Sequence, residues 1–397
     1  MKKKTIRDID VVGKRVLVRV DFNVPFDKNS GEISDDTRIR AAIPTIQYLR
    51  DAGGRIILMS HLGRPKGKVA EDMRLKPVAD RLAELLQTRV RYVTDCVGPE
   101  VEEAVASLRD GELLLLENLR FHAEEEKNDA DFARKLASLA DVYVDDAFGT
   151  AHRAHASTEG VTHYLPSVAG LLMEKELEVL GGLLESPARP FACVFGGAKI
   201  SDKVGIIRTM LQRVDIVLVG GGLAATFLKA RGLEVGSSLV EDDMLDETRE
   251  ILRESAHTGV PVILPSDALV APEVKAGVAT RVVQVTGIPA DQRVVDIGPA
   301  TIHHFFSKLE SCHTVLWNGP MGIYEIEQFS LGTKSLINYL ASFAAKTVIG
   351  GGSSVDAVQD MGLSDHVTHV STGGGATLEL LEKGTLPGVE ALDDAAA

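Results

Sequence analysis

The sequence predicts an α/β protein built from two doubly wound parallel-sheet domains joined by a hinge helix. Three observations carry this reading. At 397 residues the chain is too long for one ordinary hydrophobic core. Short apolar, β-branched runs alternate with stretches of helical period along most of its length. Polar and glycine-rich motifs follow the apolar runs, as expected where ligands bind beyond the carboxyl ends of parallel strands.

In the first half, the runs read as strands are RVLVRV (15–20), RIILMS (55–60), ELLLLE (112–117) and DVYVDD (141–146). Helical periodicity covers 37–52, 75–87 and 129–140 between them. The second half repeats the alternation. Its strands are expected at 191–195, 215–220, 261–264, 314–317, 346–350 and 366–370, with helices at 203–213, 242–257 and 374–383. This pattern predicts parallel sheets covered by helices on both faces, Rossmann-like in each half.

Between the halves lies AGLLMEKELEVLGGLLESPARP, where Leu177, Leu180 and Leu184 recur at helical spacing before Pro187 and Pro190. The domains are therefore placed at 1–170, 187–380 and a hinge helix at 171–186, against the alternative of one large sheet with one more surface helix. Residues 381–397, with their turn chemistry and weak apolarity, read on composition alone as a frayed tail.

The 43 basic and 57 acidic residues leave a net charge of −14, which disfavours general binding to nucleic acid or an anionic membrane. An anionic small molecule must then be met by a local basic cluster. The three cysteines, Cys96, Cys193 and Cys312, form no CxxC pair, so neither a zinc site nor a disulfide framework is expected, and buried inert thiols are. MKKKTIRDID has no apolar stretch behind its basic residues and no run is long enough to span a bilayer, so a cytoplasmic location is expected.

The polar motifs of the first half cluster after its strands. Asp21, Phe22 and Asn23 follow the first, His61, Leu62, Gly63 and Arg64 the second, Asn118 and Arg120 the third, and the stretch ending at Arg153 the fourth. With Arg38 these place four arginines and a histidine at one sheet edge, which predicts an anion pocket, since the guanidinium fork pairs with phosphate or carboxylate. Asp21 would accept a hydrogen bond from a substrate hydroxyl, and Asn23 could accept or donate. Asp145 and Asp146 resemble a metal pair, although capping at the strand end explains them better.

The second half carries GGAKISDK (196–203), GGGLAATF (220–227), WNGPMG (317–322), GGGSS (350–354) and STGGGA (371–376) after its strands. Glycines allow close backbone approach and helix starts offer N–H groups, so five such exits predict a polyphosphate cradle. Lys199 and Lys203 straddle one of them and are read as phosphate contacts. There is no G-x-x-x-x-G-K-[ST] loop and no G-x-G-x-x-G after the first strand, which argues against a P-loop NTPase and a dinucleotide dehydrogenase.

Together VDFNVP, HLGRP, ENLRF, DAFGTAHRAHAS, AGLLMEKEL, GGAKISDK, WNGPMGIYE and STGGGA resemble the phosphoglycerate kinase family, in order and over nearly the whole chain. The resemblance implies an N-terminal domain for 3-phosphoglycerate or 1,3-bisphosphoglycerate and a C-terminal domain for Mg-ADP or Mg-ATP. By motif, Asp21, Phe22 and Asn23 would engage the glycerate, and His61, Leu62, Gly63, Arg64, Arg120 and Arg153 its non-transferred phosphate. Arg38 and Lys199, with the backbone at Gly351 and Gly374, would attend the phosphoryl group in flight. Lys203, Gly220, Gly221, Glu325, Gly351, Gly352, Ser353 and Ser354 would hold the nucleotide. The same resemblance implies a monomer, and a C-terminal segment folded back onto the N-terminal domain.

One departure stands out. The family usually carries aspartate after the three glycines, contacting the nucleotide's metal, and here Ser353 occupies that place. A serine brings no charge to magnesium, and Asp356 stands one turn further along the expected helix. Leu223 also replaces a usual methionine. The expected function is phosphoryl transfer from 1,3-bisphosphoglycerate to ADP after domain closure. The alternatives are a catalytically weakened relative retained for binding or regulation, and a different kinase or NAD-dependent enzyme on a similar scaffold.

Overall fold

Six parallel strands form the sheet of the first half in this computed structural model, which describes residues 2–396. They are β1 (Arg15–Arg19), β2 (Arg55–Met59), β3 (Val90–Tyr92), β4 (Leu113–Leu115), β5 (Val142–Asp145) and β6 (Ser167–Ala169), in the order β3-β4-β2-β1-β5-β6. The second half holds β7 (Phe191–Phe195), β8 (Ile216–Val219), β9 (Val262–Ile263), β10 (Asp267–Ala271), β11 (Arg281–Gln284), β12 (Arg293–Ile297), β13 (Thr314–Asn318), β14 (Lys346–Gly350) and β15 (His369–Val370). Its main sheet is again parallel, ordered β15-β14-β13-β7-β8-β9.

The central strands are buried along nearly their whole length, from Val16 and Val18 to Trp317 and Ile349, as parallel strands covered on both faces must be. The chain reverses its direction of travel across the first sheet between β1 and β5, and across the second between β7 and β13. Ligands of doubly wound sheets bind at such switch points.

The predicted strand runs are all present, several of them shorter. ELLLLE narrows to Leu113–Leu115, and only His369 and Val370 of 366–370 pair, because Ser364–His366 forms a 3-10 turn. The edge strands β3 and β6 escape sequence reading because three residues show no period. The antiparallel sheet β11-β10-β12 was also not anticipated, since β11 is largely exposed and has no apolar run. Helices Pro99–Ala106, Leu223–Ala230, Pro299–Leu309, Leu331–Ser342 and Gly352–Asp360 complete the alternation. Among the described residues no helix is long and apolar enough to cross a membrane.

Two compact units result, one spanning Met1–Gly181 with Lys383–Ala397 and the other Gly182–Glu382. The division falls inside the helix Leu171–Glu185, which runs straight through Gly181 and Gly182. Residues 386–394 are docked on the first unit rather than frayed. Leu386, Val389 and Leu392 are buried, Gly388 N donates to the Ala151 carbonyl (2.8 Å), and Asp393 N donates to the Ser167 carbonyl (2.9 Å).

The helix Leu171–Glu185 is capped from outside its own sequence. Leu171 N donates to Thr45 Oγ1 (2.9 Å), and Leu172 N donates to Asp146 Oδ1 (2.9 Å), with Met173 N at 3.3 Å from the same oxygen. Gly170 makes room for this, since a Cβ there would lie 2.1 Å from Asp146 Oδ1. Asp145 caps locally, accepting from Ala147 N (2.9 Å). The aspartate pair is therefore structural. Burial pushes both carboxyls up to about 7. Asp146→Ala removes the acceptor for two helix N–H groups and should cost about 1–2 kcal/mol in urea unfolding of the first unit; an unchanged midpoint would contradict this cap.

Candidate active site

A charge sits where the first sheet is driest. Arg19, the last residue of β1, is 1% exposed, and a guanidinium there must be fully hydrogen-bonded. Its Nε donates to Ser157 Oγ (2.8 Å), Nη1 to the Val20 carbonyl, and Nη2 to His61 Nδ1 (3.1 Å). Arginine can only donate, so His61 Nδ1 accepts and the neutral ring carries its proton on Nε2. Burial, together with the charges of Arg19, Arg120, Arg38 and Arg153, holds His61 well below the usual histidine range. Burial, with the charges of Arg120, Arg19 and Arg153, draws His155 down to about 4.

Asn118, at the exit of β4, ties two loops together. Its Oδ1 accepts from Leu62 N and Arg120 N, and its Nδ2 donates to the Leu62 carbonyl (2.7 Å). Arg120 Nη1 then donates to the Gly63 carbonyl (2.9 Å), while its Nε is buried without a hydrogen-bond partner, 3.6 Å from Glu126. Asn23 Oδ1 accepts from Gly63 N (2.9 Å). Arg38 reaches in from the first turn of the helix Thr37–Asp51, not from a strand end. It donates to Asp21 (3.2 Å) and to the Asn23 carbonyl (3.0 Å).

One bonded network thus gathers Asp21, Asn23, Arg38, Gly63 and Arg120 at the exits of β1, β2 and β4, and His61, held by Arg19, stands in the same loop as Gly63. Phe22 and Leu62 belong to the core, and their amides already donate to Ser60 Oγ and Asn118, so they shape these loops and offer no group to a ligand. Arg153 is half-buried, with Nε donating to His152 Nε2 (3.2 Å). Arg64 stands exposed at the end of the 61–64 loop.

In the second unit the exits of β7, β8 and β13 meet backbone to backbone. Gly319 has φ +98°, and a Cβ on it would lie 2.2 Å from the Gly196 carbonyl oxygen. Gly220 and Gly221 are equally crowded, by Met321 and by the backbone of Gly197 and Pro320, so they serve this close packing. Beside them opens a cavity of about 300 Å³, at the small end of ligand sites, lined by Lys199, Asp202, Lys203, Asn318 and residues 197, 319 and 351–354.

Lys203 is 9% exposed and donates to Asn318 Oδ1. That contact orients the amide, leaving Asn318 Nδ2 buried without a partner. Burial draws Lys203 down to about 8, against the opposing charge of Asp202. Lys199 is exposed at the rim. Gly351 precedes the helix Gly352–Asp360, whose first turn lines the cavity. Ser354 Oγ accepts from Gly319 N (2.8 Å) and so braces the β13 exit. Gly374, in the turn before the helix Gly375–Lys383, does not line this cavity.

Ser353 also borders a neighbouring cavity of about 440 Å³, with Tyr324, Glu325, Lys334, Asp356 and Asp360. Ser353, Asp356 and Asp360 recur at helical spacing on one face of Gly352–Asp360, and Tyr324 Oη donates to Asp360 Oδ2 (2.7 Å). This oxygen-rich lining suits a hard divalent cation.

Arg19, His155 and Asn318 were missed in the sequence. Arg19 had a signal, a charge inside the apolar run RVLVRV, which strands buried on both faces rarely tolerate.

The family model described as phosphoglycerate kinase matches residues 6–384. The chain belongs to the phosphoglycerate kinase family. It is 56% identical to the phosphoglycerate kinase of Moorella thermoacetica over 394 residues, covering 99% of this chain and all of that one. Identity to that of Synechococcus elongatus is 53% over 403 residues, with both chains covered in full. The solved phosphoglycerate kinase structures from Coxiella burnetii and Pyrococcus horikoshii superpose with TM-scores of 0.88 and 0.86 at 37% and 33% identity, each over 98% of both chains. Both clusters lie within the segment that matches the phosphoglycerate kinase family model.

A phosphate-bearing ligand in the 300 Å³ cavity meets Lys203 as a cation below pH 8 and as an amine above it. Where only the cation binds, calorimetry should show affinity for ADP falling about tenfold by one unit above that pKa. Lys203→Ala should bind weakly at every pH, and a pH-independent affinity in the unsubstituted protein would remove Lys203 from the site.

Proposed function

We propose that this chain catalyses the reversible transfer of a phosphoryl group from 1,3-bisphosphoglycerate to ADP, giving 3-phosphoglycerate and ATP, as a cytoplasmic monomer of glycolysis and gluconeogenesis. The observation that carries the reading is that the strand exits of each sheet hold an anion-ready cluster with a buried, unsatisfied donor: Arg120 Nε in one unit and Asn318 Nδ2 in the other. Buried donors are normally paired, and those left open point to a ligand.

In this reading the triose acid binds the first unit. Asp21 and Asn23 meet its hydroxyl and carboxyl groups. Arg64, Arg120, Arg153 and the Nε2–H of His61 hold the phosphate that stays. A neutral His61 is suited to donating a hydrogen bond and unsuited to proton transfer. The nucleotide binds the second unit, with Lys199 and Lys203 on its phosphates, Glu325 on its ribose, and the first turn of Gly352–Asp360 as an N–H cradle.

A β-phosphate oxygen of ADP forms the new bond to phosphorus as the bond to the glycerate carboxyl oxygen breaks. The leaving carboxylate is a weak base, so no general acid is required. Arg38 and Lys199 supply positive charge to the moving group, and positioning does the rest. Arg38 is prepared for this by a half-exposed contact with Asp21 that a stronger anion can replace. In-line transfer requires both reactants to meet, so a closing motion about the helix Leu171–Glu185 belongs to the reading, and it also excludes water from the acyl phosphate.

Ser353 and Asp356 would hold the nucleotide's magnesium, directly or through water. Magnesium supplies charge neutralisation on the phosphates when bound, and it keeps most of its ligands from water and nucleotide.

A coupled assay should show turnover that requires ATP, magnesium and 3-phosphoglycerate together. Binding of both substrates without turnover would instead favour the weakened relative. Arg38→Ala should lower turnover by about 10²–10³-fold with folding intact, and near-normal turnover would exclude Arg38 from the transfer. Ser353→Asp should lower the magnesium concentration for half-maximal turnover several-fold, and an unchanged magnesium titration would show that position 353 does not face the metal.

A further inference from the structure

Cys96 has companions that its sequence neighbourhood hides. Asp95 and Cys96 lie in the loop leaving β3, and His122 ends the turn leaving β4, the adjacent strand. Parallel pairing of β3 with β4, Val90 opposite Leu113 and Tyr92 opposite Leu115, brings the two loops side by side. Glu117 N donates to the Asp95 carbonyl (3.2 Å) and holds them there. His122 Nε2 lies 2.7 Å from Asp95 Oδ1, and one ligand atom each from Asp95, Cys96 and His122 fall within 4.8 Å of one another. Among the described residues no other His, Cys, Asp and Glu side chains converge in this way.

We propose that Asp95, Cys96 and His122 form a binding site for one thiophilic divalent cation of the zinc class, with water as the fourth ligand. The donor set selects the metal. A sulfur, an imidazole nitrogen and a carboxylate oxygen suit zinc, whereas magnesium takes oxygen alone. This separates the site chemically from the oxygen-lined cavity at Ser353.

The geometry needs only a modest contraction. Tetrahedral zinc with ligands at roughly 2.0–2.3 Å holds its donor atoms about 3.3–3.8 Å apart. Cys96 is fully buried and fixed, while Asp95 and His122 are partly exposed and give both the adjustment and the entry path. The His122 ring stacks on Phe132 at 5.2 Å, which limits its orientation. The surroundings favour positive charge as well. Besides burial, the negative charges of Asp95, Glu125 and Glu117 hold the Cys96 thiol up in pKa, and the same field attracts a cation. On binding, the thiol proton passes to water as the sulfur–metal bond forms, and the neutral His122 ring ligates through Nε2 with its one proton on Nδ1, so the metal takes the place of the direct His122–Asp95 contact.

The competing reading is a surface Asp–His pair beside a core cysteine, with no ligand. Cobalt(II) added to the chelator-treated full chain distinguishes the two. One equivalent should produce a thiolate-to-cobalt charge-transfer band, with ligand-field intensity of a four-coordinate ion, and zinc(II) should displace it. Cys96→Ser should abolish the band. His122→Gln and Asp95→Asn should each weaken cobalt binding by at least about 10–100-fold, the range for losing a group that only supports a ligand. Absence of the band, or its survival in Cys96→Ser, would overturn the site. Should Cys96→Ser not fold, unchanged cobalt affinity in both His122→Gln and Asp95→Asn would overturn it equally.

Discussion

The buried guanidinium of Arg19 is the constraint around which the first unit is organised. A permanent charge at the end of a central strand cannot be neutralised by losing a proton, so the fold must bring polar groups to it. It does so from three directions: Ser157 from beyond β5, the chain's own Val20 carbonyl, and the imidazole of His61 from beyond β2. The nearby carboxyls, Asp145 and Glu125, feel the charge without forming a contact pair. Much of its field is left over, and it lies where the sheet reverses direction. A positive potential is therefore fixed in place before any ligand arrives, which is what recognition of a small anion by an acidic chain of charge −14 requires.

The second unit reaches a similar end with less charge and more backbone. Its glycines crowd the strand exits so closely that Gly319 and Gly196 leave no space for a side chain. Its buried lysine, Lys203, has its pKa lowered by burial and donates to Asn318. Strong fixed charge suits a small acid that must be captured whole. A cradle of amides with lysines beside it suits a longer phosphate chain whose tail must change charge during the reaction.

Sequence pattern disclosed the sheets because buried parallel strands must be apolar throughout, and it placed ligand chemistry at their ends because connectivity puts loops there. It could not disclose partners chosen across the sheet. Asn118 bridging Leu62 and Arg120, Asp146 capping a helix that starts 25 residues later, and Asn318 meeting Lys203 all depend on tertiary placement. Glycine-rich exits also looked uniform in the sequence, although Gly220 and Gly221 serve packing while Gly351 and Gly352 line a cavity. The sequence groups Arg38 with the strand-end arginines at one sheet edge, and it reaches Asp21 and the Asn23 carbonyl there from the first turn of a helix.

The last turn of chain has a consequence for how the molecule is made. Residues 386–394 fill the first unit and bond to positions 4, 151 and 167, yet more than two hundred residues of the other unit are synthesised in between. A growing chain ordinarily finishes its earlier domain first. Here the earlier one lacks its final segment until translation has passed through its neighbour, so the part begun first is completed last.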